Sequence, residues 1–102
     1  MILYHGTTWD RANSLVAAGT YMPGESNAWS SEGGEAGLFC SNVYEYAEQY
    51  GSVVVEINVN DSSVLTVQEC PIGPGDYGWR DEFAGAIEYL IPEGVPFIAT
   101  II

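Results

Sequence analysis

The chain contains no lysine. Its basic side chains are Arg11 and Arg80, set against fourteen Asp and Glu, and the formal net charge is −12. A surface of that sign repels nucleic acid and anionic membranes at long range. Direct nucleic-acid binding is therefore not expected, and a basic protein is the partner the charge would attract. Read more plainly, the same charge only confers solubility. Histidine occurs once, as His5, and cysteine twice, as Cys40 and Cys70, with no CxxC. One histidine cannot complete a typical Cys/His zinc site, so no metal is expected. The cysteines read as buried free thiols, with a disulfide as the other reading. No apolar run approaches the ~20 residues of a membrane helix. No charged-then-apolar segment opens the sequence. The expectation is a soluble protein of the cytoplasm, its own cell's or that of a host into which it is delivered. P-loop, GxGxxG, HExxH and GxSxG patterns are missing too, which removes the parts for kinase and hydrolase readings.

What is present fits one domain, residues 1–102, with 47% apolar and 13% aromatic residues. "ILYH", 2–5, reads as a strand. A helix is expected from Trp9 to Ala18, with Thr7 or Thr8 as its cap, Asp10 at its positive end and Gly19 as its stop. Residues 20–36 form a long loop with no sustained period. "GLFCS", 37–41, is a second strand. Ser41 then reads as an N-cap and Gly51 as a stop. Val43, Tyr46, Ala47 and Tyr50 fall at helical spacing between them. In "SVVVEINVN", Val53, Val55, Ile57 and Val59 alternate with Val54, Glu56 and Asn58, which predicts a half-buried strand. "SSVLTVQ" reads as another. Two prolines and three glycines make 70–80 an irregular loop. "AIEYLI", 86–91, and "VPFIATII", 95–102, complete the set, and the apolar ending predicts a packed last strand. The sum is an α+β domain of one or two curved sheets with two short helices.

Two polar residues stand out on apolar strands: His5 at the end of the first, and Glu88 between Ile87 and Tyr89. Each has an ordinary reading. His5 could be a core histidine with a satisfied hydrogen bond. Glu88 could point to solvent from an alternating strand, since buried glutamates are rare unless paired.

The order of the surrounding motifs adds a second reading. "YHGT" at 4–7, "GLF" at 37–39 followed by a helix ending in Tyr50, and "EYLI" at 88–91 resemble the ADP-ribosyltransferase superfamily. The likeness is closest to its poly(ADP-ribose) polymerase-like and diphtheria-toxin-like His-Tyr-Glu branch, and it spans most of the chain. It implies an ADP-ribosyltransferase-like fold of two packed curved β-sheets, with NAD+ bound as co-substrate in the cleft between them. By resemblance, His5 would hydrogen-bond the adenosine ribose. Gly6 would admit the nicotinamide carboxamide, with Thr7 supporting that end. Tyr50 would stack on the nicotinamide ring, with Phe39 on its other side. Arg11 would meet the pyrophosphate. Glu88 would hold the nicotinamide ribose and stabilise the oxocarbenium-like charge that develops as nicotinamide leaves. The catalytic set is then Glu88, His5 and Tyr50.

Three departures bear on activity. Phe39 stands where the signature has its tyrosine, so that hydroxyl is gone. Only Arg11 and Arg80 can meet a pyrophosphate with charge. Ala86, two residues before Glu88, departs from the arginine-modifying toxin pattern.

The functional expectation is NAD+-dependent mono-ADP-ribosylation of a protein or nucleic-acid acceptor, with release of nicotinamide. The alternative is a catalytically degenerate acidic binding or inhibitor module, such as a phage-type nucleic-acid mimic docking on a basic protein. A third reading is an NAD+ glycohydrolase, with water as acceptor.

Overall fold

The computed structural model describes residues 1–21, 37–69 and 85–102. The loop expected at 20–36, beyond its first two residues, and the loop at 70–80 with Cys70 and Arg80 lie outside the described residues.

Local rules account for the first two elements. β1 spans Ile2–Thr7, and α1 spans Trp9–Ala18. Thr8 is extended and its hydroxyl accepts from the Arg11 amide, which fills one of the open donors of the first turn. Asp10 sits at the positive end of the helix. Gly19 ends it in the left-handed region, at φ 67°, where a side chain would be strained. The Gly19 carbonyl then accepts from Phe97 N at 2.8 Å, which ties the helix end to the last strand.

The other elements are β2 (Gly37–Ser41), α2 (Tyr44–Glu48), β3 (Val53–Val59), β4 (Leu65–Glu69), β5 (Ile87–Pro92) and β6 (Phe97–Ile101). A single 3₁₀ turn, Asp61–Ser63, joins β3 to β4. α2 is shorter than its pattern predicts. Ser41 does not cap it directly. Its hydroxyl accepts from Val43 N at 3.1 Å and closes the turn before the helix, and Tyr50 lies beyond the last helical residue. β6 is packed along one side only. Phe97 and Ala99 are buried, whereas Ile98 and Ile102 are exposed.

The strands form one antiparallel sheet in the order β4-β5-β2-β1-β3-β6. Of the one or two curved sheets expected, the described residues show one, and a second packed sheet is not shown. β1 meets β3 along its whole length, from Ile2↔Asn58 to Thr7↔Val53, but meets β2 at a single register pair, Tyr4↔Ser41. That pair is what makes the sheet continuous. It also leaves a seam down the middle, with β4-β5-β2 on one side and β1-β3-β6 on the other.

Side-chain parity assigns the two faces. Leu3, His5, Leu38, Cys40, Val53, Val55, Ile57, Ile91 and Phe97 share one face. Its apolar members form the main core with Ala12 and Leu15 of α1. Tyr4, Gly6, Phe39, Ser41, Glu56 and Glu88 share the other, which α2 covers in part. Val54, which alternation assigns to this polar face, is buried as well, because α2 packs over β3. Cys40 is a buried free thiol, and its burial pushes its pKa well above the ordinary thiol range.

Candidate active site at the strand seam

His5 is 4% exposed. Its Nδ1 lies 2.6 Å from the Phe39 carbonyl, across the seam from β1 to β2. A carbonyl oxygen can only accept, so Nδ1 carries the proton and Nε2 presents a bare lone pair. Nε2 is buried and has no hydrogen-bond partner among the described residues. Burial is the largest influence on the ring and lowers its pKa. The Phe39 hydrogen bond opposes this, and the nearby Arg11 charge lowers it further. His5 is therefore a neutral imidazole with an unused acceptor. Buried polar groups are nearly always paired, so such an atom needs an explanation.

Gly6 has a packing reason to be glycine. A Cβ there would run into the carbonyl of Ala47, so α2 can lie this close to β1 only because the side chain is missing. Gly51 faces the Thr7 backbone in the same way. Thr7 itself is buried. This close approach brings α2 over the face that carries Glu88.

Glu88 is half-buried on β5, directly opposite Ser41 on β2. The Tyr46 hydroxyl donates to Glu88 Oε2 at 3.1 Å, and the Tyr50 hydroxyl donates to the Tyr46 oxygen, also at 3.1 Å. A hydrogen-bonded line thus runs from the surface to the carboxylate. The Tyr46 and Tyr50 rings meet edge to face, with centroids 5.6 Å apart. Tyr46 is 3% exposed and Tyr50 60%. Burial, followed by the hydrogen bond from Tyr50, pushes the Tyr46 pKa far above the ordinary tyrosine range, so Tyr46 stays a proton donor. Asn42 steadies the start of β5. Its Oδ1 accepts from Ile87 N at 2.7 Å and its Nδ2 donates to the Gly85 carbonyl at 3.2 Å.

The residues singled out by the sequence therefore fall into two groups. Glu88, Phe39, Gly6 and Tyr50 belong to the α2 face. His5 belongs to the α1 face, where the charge of Arg11 reaches it. Both groups meet on β2. The carbonyl that takes the His5 proton is Phe39's, and Ser41 opposite Glu88 lies two residues along, roughly 7 Å away. Tyr50 does not extend a helical core stripe. It is exposed, with its ring available to a ligand. Tyr46, Ser41 and Asn42 were not visible as site residues. Tyr46 read as an ordinary core position, and nothing local linked it to a glutamate 42 positions away.

No protein-family profile, curated protein or solved structure matches the chain. Among the described residues, no three His, Cys, Asp or Glu side chains are placed to hold a metal ion. No described helix is long and apolar enough to cross a membrane.

Proposed function

We propose that this chain is an NAD+-dependent mono-ADP-ribosyltransferase, with an ADP-ribosyltransferase-like fold and its donor cleft at the β1/β2 seam. The observation that carries the reading is the half-buried Glu88 carboxylate, hydrogen-bonded by Tyr46 beside the exposed Tyr50 ring. It suits a ribose and the positive charge that forms next to it. On the core face of the sheet, the buried Nε2 of His5 has no hydrogen-bond partner among the described residues, and a ribose hydroxyl that reached it would be a donor of the right kind.

In the reaction, the bond between the ribose C1′ and the pyridinium nitrogen of NAD+ breaks. Its electron pair goes to nicotinamide, which leaves neutral. C1′ passes through an oxocarbenium-like state that the Glu88 carboxylate stabilises. The acceptor's nucleophilic atom then bonds to C1′ and loses its proton to solvent. His5 fixes the adenosine ribose, Arg11 meets the pyrophosphate, and the Tyr50 ring stacks on the nicotinamide with Phe39 opposite. Neutral His5 suits binding by acceptance and carries no charge of its own toward the donor.

The test is incubation of the protein and a Glu88→Gln variant with labelled NAD+, with and without cell lysate. Nicotinamide release and label on a macromolecule are expected from the unmodified protein. The variant should retain NAD+ binding and lose turnover by about a thousandfold. Free ADP-ribose without labelled macromolecule would make the protein a glycohydrolase instead. Salt-sensitive capture of a basic protein, with no turnover in any lysate, would favour the acidic binding module that the −12 charge also fits.

A further inference from the structure

The tyrosine pair on α2 has a role that the reaction scheme above leaves open. The carboxylate of Glu88 has two oxygens, and the Tyr46 hydroxyl is hydrogen-bonded to Oε2. Among the described residues, no hydrogen bond is made to Oε1. One oxygen of the carboxylate is thus tethered by Tyr46. The tether is short and stiff. Tyr46 is a buried ring with few accessible rotamers, packed with Ala86 and Val43. Its hydroxyl direction is also set, since a carboxylate at one end must accept and the Tyr50 hydroxyl at the other end donates. Tyr50 is the exposed end of the line and carries the ring that a stacking ligand would cover.

We propose that Tyr46 is a positioning residue for Glu88: it holds Oε2 so that Oε1 is presented to the ligand ribose, and it links that carboxylate to the ring seated on Tyr50. The proposal rests on the transferase reading. A ring covering Tyr50 excludes water from the Tyr50–Tyr46 hydrogen bond, which strengthens the line in its low-dielectric surroundings. Occupation of the nicotinamide position and orientation of the carboxylate are then coupled. By its hydrogen bonds Tyr46 bears on the reaction through Glu88 and Tyr50.

Steady-state nicotinamide release from NAD+, measured on the whole chain, separates this from a purely structural role. Tyr46→Phe keeps the ring and removes the hydroxyl. Its kcat is expected to fall about 10- to 100-fold, the cost of a loosely aimed catalytic group. Its KM for NAD+ should stay within about twofold and its melting temperature within about 5 °C. Tyr50→Phe keeps the stacking ring and removes only the outer donor, and a smaller fall of about 2- to 5-fold in kcat is expected. Unchanged kcat in Tyr46→Phe, in a protein whose Glu88→Gln variant is inactive, overturns the positioning role and leaves the transferase reading standing. If Tyr46→Phe does not fold, Tyr50→Phe decides, and wild-type kcat in that variant overturns the proposal. A wild-type protein that releases no nicotinamide, or a Glu88→Gln variant that still does, removes the transferase reading and this proposal together.

Discussion

On the α1 face of the sheet, Leu3, Val55, Ile57 and Ile91 are fully buried and pack with Ala12 and Leu15 of the helix. On the α2 face, the strand positions include Gly6, Ser41, Glu56 and Glu88 beside the buried Val54 and Leu90, and among the described residues α2 adds a small cluster of Tyr46 and Ala86 with Val43 against them. The same strands build both faces, so the difference lies in which parity of each strand is apolar. Each large side chain buried on the α1 face contributes about 1.5–3 kcal/mol. The α2 face contributes less burial and more directed hydrogen bonding. This division lets one side of a small sheet hold the fold together while the other side keeps polar groups at a chosen depth. His5 is the exception. It belongs to the apolar face by parity and reaches across the seam to the backbone of β2.

The sharpest way to break this comparison is to empty the α1 face. Leu3→Ala should cost about 2–5 kcal/mol in urea unfolding, because the surrounding sheet and helix close the cavity only in part. On the transferase reading, Glu88 chemistry on the other face should survive, so nicotinamide release per folded molecule should fall only as far as the displacement of His5, which shares the emptied face, weakens NAD+ binding. A loss of kcat in a protein still folded at low temperature would mean that the two faces are not separable. The next largest effect should come from the contact between α2 and β1. In Gly6→Ala the new methyl meets the carbonyl of Ala47, so α2 must shift, and a loss of about 1–3 kcal/mol is expected. Ala47 follows Tyr46 directly, so on the transferase reading kcat should fall along with stability. A variant normal in both would show that α2 has slack over Gly6.

The smallest effect is that of pH on the seam. His5 in the folded chain binds a proton only below its ordinary value of 6.5, because burial lowers its pKa. The unfolded chain binds one at about 6.5. As pH falls from 6.5 toward the folded-state value, the unfolded chain therefore holds the extra proton and unfolding is favoured. Above 6.5 the effect vanishes. The slope is at most about 1.4 kcal/mol per pH unit. His5→Asn keeps a donor for the Phe39 carbonyl and does not titrate there. Subtracting its stability–pH curve from that of the wild type should leave this slope alone. Parallel curves would place the imidazole in water rather than in the core.

The local elements were legible where their causes are local. The Thr8 cap and the Gly19 stop act over three and four residues, so α1 runs from Trp9 to Ala18 as its pattern predicts. β2 matches "GLFCS", and the Val53–Val59 alternation matches β3. The α2 pattern misled at its end. Tyr50 completes a helical spacing, yet the helix stops at Glu48, because Gly51 must pass close against the Thr7 backbone. That contact joins residues far apart in the chain, and no spacing rule encodes it.

By itself the sequence determined the strand and helix pattern, the acidic balance, and the placing of a lone histidine and a glutamate on apolar strands. Period, capping and composition are properties of neighbouring residues. Only the tertiary structure decided that the strands join into one sheet through Tyr4↔Ser41, that His5 spends its proton on Phe39 and leaves Nε2 bare, and that Tyr46 holds Glu88. Those outcomes depend on which strand lies next to which and on how closely α2 can approach β1. They bring together groups 34 and 42 positions apart. Pairing over such distances is set by burial of the whole sheet, and the chemistry of the site follows from it.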